Sequence, residues 1–272
     1  MTVPFENDTG NIVRKLARKS LKSEKRRNLM VVIAVALASC LICFSIVMAL
    51  STRQIEKNHV EDTYEAVYTR ITEEDVSTLK ELDDFSRVGE YYMLAVEPAE
   101  QGYNASYIYC DEETMYIARD QMRLLEGRLP QKEDEVVVSR YFLSNYGADA
   151  GIGEKVMLSS ESFHGEYTVT GIMEGYKEKE VNGTSILLSK EALKGWSGYD
   201  PADYRAYVHF KNEQQMDETE LTARSREIAK EYQLEMPVMN LSYMKFYKQP
   251  VNVSMLALVA GIAVLVIIGG YV

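Results

Sequence analysis

Cysteine and histidine are scarce in this chain of 272 residues, with three of each. Cys40 and Cys43 lie inside an apolar run and Cys110 stands alone outside it, so no disulfide framework staples the chain. The fold has to rest on packing. His59, His164 and His209 are scattered without the spacing of a metal-ligand set. Gly-x-x-x-x-Gly-Lys-Ser/Thr does not occur, which excludes ATP hydrolysis by a P-loop in this chain. Gly151-Ile152-Gly153 begins a dinucleotide fingerprint, but Val156 stands in the third glycine's place. Gly195-Trp196-Ser197-Gly198-Tyr199 begins a nucleophile elbow, but Tyr199 replaces its final glycine. Both read as loops. The acidic clusters Glu73-Glu74-Asp75, Asp111-Glu112-Glu113 and Glu133-Asp134-Glu135 fit helix starts or turns, where the helix dipole alone favours carboxylates. No catalytic residue, cofactor or metal ligand is therefore assigned, and the chain reads as a non-enzyme.

Charge is absent from two long stretches, between Arg27 and Arg53 and from Lys248 to the last residue, Val272. At ~1.5 Å rise per residue, either run spans a ~30 Å hydrocarbon core as a helix. Two transmembrane helices, at about 29–50 and 251–272, are the expectation, and the chain stops inside the second crossing as a truncated product would. Arg14, Lys15, Arg18, Lys19, Lys22, Lys25, Arg26 and Arg27 precede the first run, against Glu6, Asp8 and Glu24 in the same segment. That bias puts the N-terminus in the cytoplasm and about 51–250 outside a bacterial cell membrane. The whole chain carries a net charge of -11, so this excluded part is acidic, which argues against nucleic acid as a partner.

Ile12, Val13, Leu16, Ala17 and Ser20 share one side of a helical wheel, with Arg14, Lys15, Arg18, Lys19 and Lys22 opposite. Residues 1–28 thus read as a basic amphipathic helix lying on the lipids of the inner leaflet. Leu37-Ala38-Ser39-Cys40 has the small-residue pattern of a lipoprotein cleavage site, but Leu41 to Leu50 stays apolar and favours a retained helix. Cys40-Leu41-Ile42-Cys43 lacks the polar setting a redox pair needs. Asn104, Asn182 and Asn240 open Asn-x-Ser/Thr triplets, a pattern short enough to arise by chance.

After the first run, Ser51 to Asp62 has few breakers and continues the helix as a stalk. Ala66 to Ile71 reads as a strand, Thr72 with Asp75 as a capping box opening a helix through Leu79 and Leu82, and Ser86 to Val96 as the next strand. Arg205 to Phe210, Asp217 to Tyr232 and Glu235 to Met239 repeat that strand, helix, strand order. Two such halves close into one sheet with helices on one face, an α+β sandwich. Between them, at about 105–195, strands at Ser106 to Cys110, Glu135 to Ser139, Lys155 to Leu158, Tyr167 to Ile172 and Thr184 to Leu188 suggest an inserted β-rich subdomain. The 19 tyrosines are an excess that either fills a core or furnishes an interface.

Glu126-Gly127-Arg128-Leu129-Pro130, Glu135-Val136-Val137-Val138-Ser139, Gly147 and Gly151-Ile152-Gly153-Glu154-Lys155-Val156 look like a recurrent run of one family, and Tyr167 to Ile172 like the strand that follows it. Together with the order of basic helix, apolar helix, α+β domain and apolar helix, the chain resembles the N-terminal portion of an ABC transporter permease of the FtsX and MacB type. The resemblance implies an extracytoplasmic domain moved by a separate ATP-binding cassette ATPase subunit, a permease homodimer or pseudo-dimer, and a peptide or lipophilic substrate. Such permeases act in efflux, peptide resistance or sensing, or mechanotransmission. Small residues such as Ala257 and Gly261 would permit close helix packing in the second run. A membrane-anchored receptor whose ectodomain binds a ligand without transport is the alternative reading.

Overall fold

The computed structural model describes residues 9–23, 25–146, 150–175, 178–248 and Gly261. Two compact units emerge, residues 1–55 with 250–272, and Glu56–Gln249. In the first, helix α1 (Thr9–Ser23) exposes Ile12, Val13 and Leu16, the apolar stripe read from the wheel. Helix α2 (Lys25–Val60) is one unbroken helix of 36 residues, about 54 Å long at the usual rise. The expected polar continuation beyond Leu50 is thus helical. Among the described residues, Leu29–Asn58 is the one stretch long and apolar enough to cross a membrane. Its interior hydroxyls are satisfied within the helix, because Ser39 and Ser45 donate to the carbonyls of Val35 and Leu41, each at 2.8 Å. The second expected crossing lies outside the described residues except for Gly261.

The second unit is built on one sheet. Strand β1 (Ala66–Ile71), helix α3 (Glu73–Glu81) and strand β2 (Phe85–Pro98) form the first half. Thr72 caps α3 reciprocally with Asp75, as the sequence spacing predicts. Strand β3 (Asn104–Cys110), helix α4 (Glu112–Ile117), strand β4 (Met122–Gly127), strand β5 (Glu135–Ser139) and helix α5 (Arg140–Asn145) follow. Next come strands β6 (Lys155–Ser159) and β7 (His164–Gly175), helix α6 (Glu178–Val181), strand β8 (Gly183–Leu188) and helix α7 (Lys190–Gly195). Strand β9 (Tyr204–Phe210), helix α8 (Glu218–Glu231, capped by Asp217), the short strand β10 (Val238–Met239) and helix α9 (Leu241–Tyr243) close the unit.

Strand order is β10-β1-β9-β2-β3-β8-β5-β7-β4, with β6 paired to β7. The two strand, helix, strand halves interdigitate in the first four positions, all antiparallel, a split βαβ arrangement. The inserted strands do not form a separate layer. β2 is long enough to pair with β9 through Tyr92 and with β3 from Tyr91 to Pro98, so the sheet runs on without a break. One strand went unread in the sequence, β4, because Met122 to Gly127 does not alternate.

Burial divides the sheet into two faces. Ala66, Tyr68, Tyr92, Tyr204, Ala206 and Val208 pack with Val76 and Leu79 of α3 and Leu221, Ile228 and Ala229 of α8. Farther along the same face lie Phe142 of α5 and Leu193 of α7. Val67, Tyr91, Ile108, Val137, Leu187 and Tyr207 face the other way and pack with Met115, Ile117 and Ala118. Helices on one face only was the expectation, and α4 corrects it. The approach is close because β2 carries Gly89, where a Cβ would stand 2.4 Å from the Thr114 hydroxyl. Among the described residues nine of the tyrosines are buried, so part of their excess goes into the core. Some of their hydroxyls are hydrogen-bonded, as Tyr68 is to the Ser225 carbonyl at 2.9 Å.

Candidate functional site

The chain enters the sheet domain just after α2, and its last described continuous run ends just after α9; these two segments meet. At the end of α2, Asp62 takes a left-handed turn (φ 51), and the Thr63 amide and hydroxyl both donate to the Val60 carbonyl, at 3.2 and 2.7 Å. Tyr64 then donates its amide to Ile117 at the end of α4, and Glu65 donates its own to Val208 of β9. Asn240 ties the outgoing segment to the incoming one. Its amide donates to the Glu65 carbonyl (2.8 Å), its side chain donates to the Tyr64 carbonyl (3.0 Å), and its side-chain oxygen caps α9 through Ser242 and Tyr243. Arg119 donates to the Glu61 carbonyl and lies 3.7 Å from the Asp62 carboxylate.

Beneath this seam sits a buried ion pair. The Glu65 side chain is fully buried, its Oε1 2.7 Å from His209 Nδ1 and its Oε2 accepting the Phe210 amide at 2.7 Å. Burial pushes the Glu65 carboxyl up, against the hydrogen bond and charge of His209. Burial also opposes charge on His209, but the hydrogen bond to Glu65 and its charge outweigh it and raise the imidazole above its ordinary value. Both groups therefore hold a proton more tightly than they do in water. His164 lies exposed at the start of β7, and the side chain of His59 falls outside the described residues. The pairing was hidden because it depends on register. Ala66 opposes Val208, which sets Glu65 beside His209 on the face opposite Ala66 and Val208. A hint was present in the alternation Arg205, Tyr207, His209 of β9, which puts a titratable ring on a face that also buries Tyr207.

Beside the pair opens a cleft of about 360 Å³ between the end of α2, the α4–β4 connection and the face of β2, β3 and β8. Val60, Tyr64, Tyr91, Asp120, Asn240 and Ser242 are among its walls.

The motif residues converge elsewhere, and their role is structural. Gly127 has φ +83 and a Cβ there would sit 2.2 Å from the Thr170 carbonyl, so only glycine fits where β4 meets β7. Arg128 then reaches Glu135 with both terminal nitrogens, at 2.7 and 2.8 Å. The amides of Gln131 and Lys132 also donate to that carboxylate, and with Arg128 foremost they hold it down to about 2. Ser139 caps α5. The acidic clusters likewise behave as predicted, with Glu73 and Glu74 in the first turn of α3 and Asp111 capping α4. Lys190 bridges Glu73 (2.7 Å) and Glu90 (2.6 Å), tying α7 to α3 and β2. Cys40 and Cys43 are exposed on α2; Cys110 is buried, and burial pushes its thiol well up. Of the triplets, Asn240 is buried within the seam, where a glycan has no room. No cluster of three or more His, Cys, Asp or Glu with metal-holding geometry occurs among the described residues.

The profile of the MacB-like periplasmic core domain matches residues 29–226, well over half of the chain. The chain belongs to that family. Its matched span takes in most of α2 and the sheet domain as far as the middle of α8, in agreement with the permease resemblance carried by Gly127, Arg128 and Glu135. Among solved structures, the chain is similar to the extracellular domain of the noncanonic ABC-type transporter YknZ from Gram-positive bacteria, at 14% identity, covering 65% of this chain and 100% of that one, with a TM-score of 0.46. It is also similar to a domain of a permease protein from Porphyromonas gingivalis (16% identity, 72% and 96% covered, TM-score 0.45). A third is the periplasmic region of MacB from Actinobacillus actinomycetemcomitans (10% identity, 68% and 91% covered, TM-score 0.46). No match is found among curated proteins.

Proposed function

We propose that this MacB-like chain is part of a membrane permease subunit, with α2 carrying displacement between a cytoplasmic ATP-hydrolysing subunit and the sheet domain. The observation that carries this reading is the unbroken course of α2 from an apolar span through polar residues to Val60, inside a family match that covers helix and domain together. A helix is stiff along its axis, and its far end is bonded to β9 and to the outgoing segment through Tyr64, Glu65 and Asn240. Displacement of Val60 would therefore reach β9 rather than a loose linker. On this reading α1 lies on the inner leaflet, residues 51–250 are extracytoplasmic, residues 251–272 form a second crossing, and the permease works as a dimer. A peptide or lipophilic molecule is the substrate class.

The test is co-purification of the chain with an ATP-binding cassette subunit, followed by comparison of Gln54→Pro with Gln54→Ala. Proline in a helix interior removes a hydrogen bond and costs about 3 kcal/mol, which kinks the stalk. Gln54→Pro should leave ATP hydrolysis in place and abolish its coupling to transport or resistance, whereas Gln54→Ala retains both. Failure of the chain to associate with any ATPase would sink the proposal.

A further inference from the structure

Large apolar side chains exposed on the sheet domain are mostly scattered, but three of them fall within six residues at one edge. Met236, Val238 and Leu241 are 53, 60 and 78% exposed, around the two-residue edge strand β10 and the start of α9. Half-buried Phe246 and exposed Lys245 follow in a short π-helix, Met244–Lys248, with the Lys245 ammonium 5.1 Å from the Phe246 ring centroid. Composition changes at the same point. The chain holds 41 Asp and Glu, yet none occurs from Met236 to Val272, and the charges left in that stretch are Lys245 and Lys248. On an acidic chain, an edge that is apolar, aromatic and lysine-bearing has the make-up of a membrane interface, where rings and lysine stems lie across the boundary between hydrocarbon and headgroups.

Chain length favours lipid as what covers it. From Leu241 to Lys248 the backbone is helical, so at ~1.5 Å rise per residue Leu241 stands within about 12 Å of the start of the charge-free run that follows Lys248. The other tether is Asn240, bonded to the carbonyl of Tyr64, six residues beyond Asn58, where the apolar span of α2 ends. Leu241 is thus tied by short lengths of chain to both apolar runs. A second copy pairing along β10 would find a two-residue ladder, too short to fix a register. We infer that Val238, Leu241 and Phe246 dock on the extracytoplasmic leaflet at the boundary of acyl chains and headgroups, with Lys245 among the lipid phosphates. The leaflet then bears on α9 and, through Asn240, on the seam with Tyr64 and Glu65. This docking rests on the membrane reading of α2 and of residues 251–272.

The experiment uses the full chain in nanodiscs of phosphatidylcholine with brominated acyl chains, which quench tryptophan fluorescence on contact, against the same nanodiscs without bromine. Trp196, the chain's one tryptophan, is replaced by phenylalanine, and single tryptophans are placed as Leu241→Trp, Phe246→Trp, Val96→Trp and Phe44→Trp. Val96 is as exposed as Val238 but lies eleven residues along β2 from Phe85, roughly 35 Å at the usual strand rise, at the end of the sheet remote from Glu65. Brominated lipid should quench Phe44→Trp and Phe246→Trp strongly and Leu241→Trp by about half, as befits a ring ~5–10 Å into the interface, and should leave Val96→Trp unchanged. Phe246→Trp exchanges one aromatic ring for another, so the test stays decisive if Leu241→Trp folds poorly. Quenching of Phe44→Trp without quenching at 241 and 246 would overturn the docking and leave the span intact. Protection of those two from acrylamide without lipid quenching, as a second copy would give, would overturn it as well. An unquenched Phe44→Trp would remove the membrane reading and this inference together.

Discussion

Replacing His209 by leucine isolates the cost of the buried charge under the seam. Glu65 would keep the Phe210 amide and lose its only cationic neighbour at 2.7 Å. Removing one partner of a buried pair costs about 3–5 kcal/mol, but the protein has an escape, because Glu65 can take up a proton. Starting from an ordinary value of 4.5, that protonation costs about 3.4 kcal/mol at pH 7 and about 0.7 kcal/mol at pH 5, at 1.36 kcal/mol per unit. The loss in His209→Leu should thus be capped near 3 kcal/mol at pH 7 and shrink steadily towards pH 5. The sign follows from linkage. A carboxyl raised in the folded state is destabilising once ionised, so the variant loses stability as pH rises from 4.5 towards its new folded value. In the wild type His209 itself is raised, so its contribution is full below about 6.5 and is lost as pH climbs through the higher folded value. Urea unfolding of residues 56–249, followed by far-ultraviolet circular dichroism, gives the measurement. With a slope of about 2 kcal/mol per molar urea, the midpoint at pH 7 should fall by about 1.5 M. Glu65→Gln in the same chain should restore most of it. A loss below 1 kcal/mol at pH 7, a loss independent of pH, or no rescue by Glu65→Gln would refute the reasoning.

Three further substitutions probe the motif and the seam. Gly127→Ala puts a Cβ at 2.2 Å from the Thr170 carbonyl in a left-handed backbone, so β4 should detach from β7 at a cost of about 2 kcal/mol or more, read as a lower thermal midpoint. Glu135 is held down to about 2, so its stabilisation is present above about 4.5 and disappears as pH falls towards 2; Arg128→Gln should flatten that acid limb, read as a thermal midpoint that depends less on pH below 4.5. Asn240→Ala removes a helix cap and the bond to the Tyr64 carbonyl, and about 2 kcal/mol should vanish from the midpoint, with amide exchange of Tyr64 and Glu65 accelerated more than that of α8.

Much of the fold was legible because its signals are local. The capping box at Thr72 and Asp75, the helical period from Asp217 and the alternation in Arg205 to Phe210 each depend on residues a few positions apart, and each sits where the pattern puts it. β5 is legible for another reason: its three buried valines, Val136 to Val138, form a continuous apolar run. β4 was missed because it is a sheet edge, half exposed and irregular in register between Leu124 and Glu126. The second helical face was missed because α4 is only six residues long, and its docking depends on the absence of a Cβ at Gly89 rather than on a periodic stripe. The seam was least legible of all. Its parts come from residues 60–65, 117–121, 208–210 and 240, and nothing in any one segment announces the others.

That distribution bears on where function should be sought in this chain. Residues that build the frame announce themselves in sequence because turns and caps are read over short spans, as Gly127, Arg128 and Glu135 were. Residues that join the frame to α2 carry no such signature, because their partners are set by strand register and by where the chain leaves the sheet. Glu65 shows the difference: its side chain is fully buried, and its significance appears only when β9 brings His209 alongside. An apolar pair of similar volume would hold the same space without the cost of desolvating two charges. A buried charge pair at the one place where both connecting segments meet is therefore poorly explained by stability alone. It is better explained by specificity, because a carboxylate that must find both an imidazole and the Phe210 amide tolerates one register of β1 on β9 and rejects a slipped one.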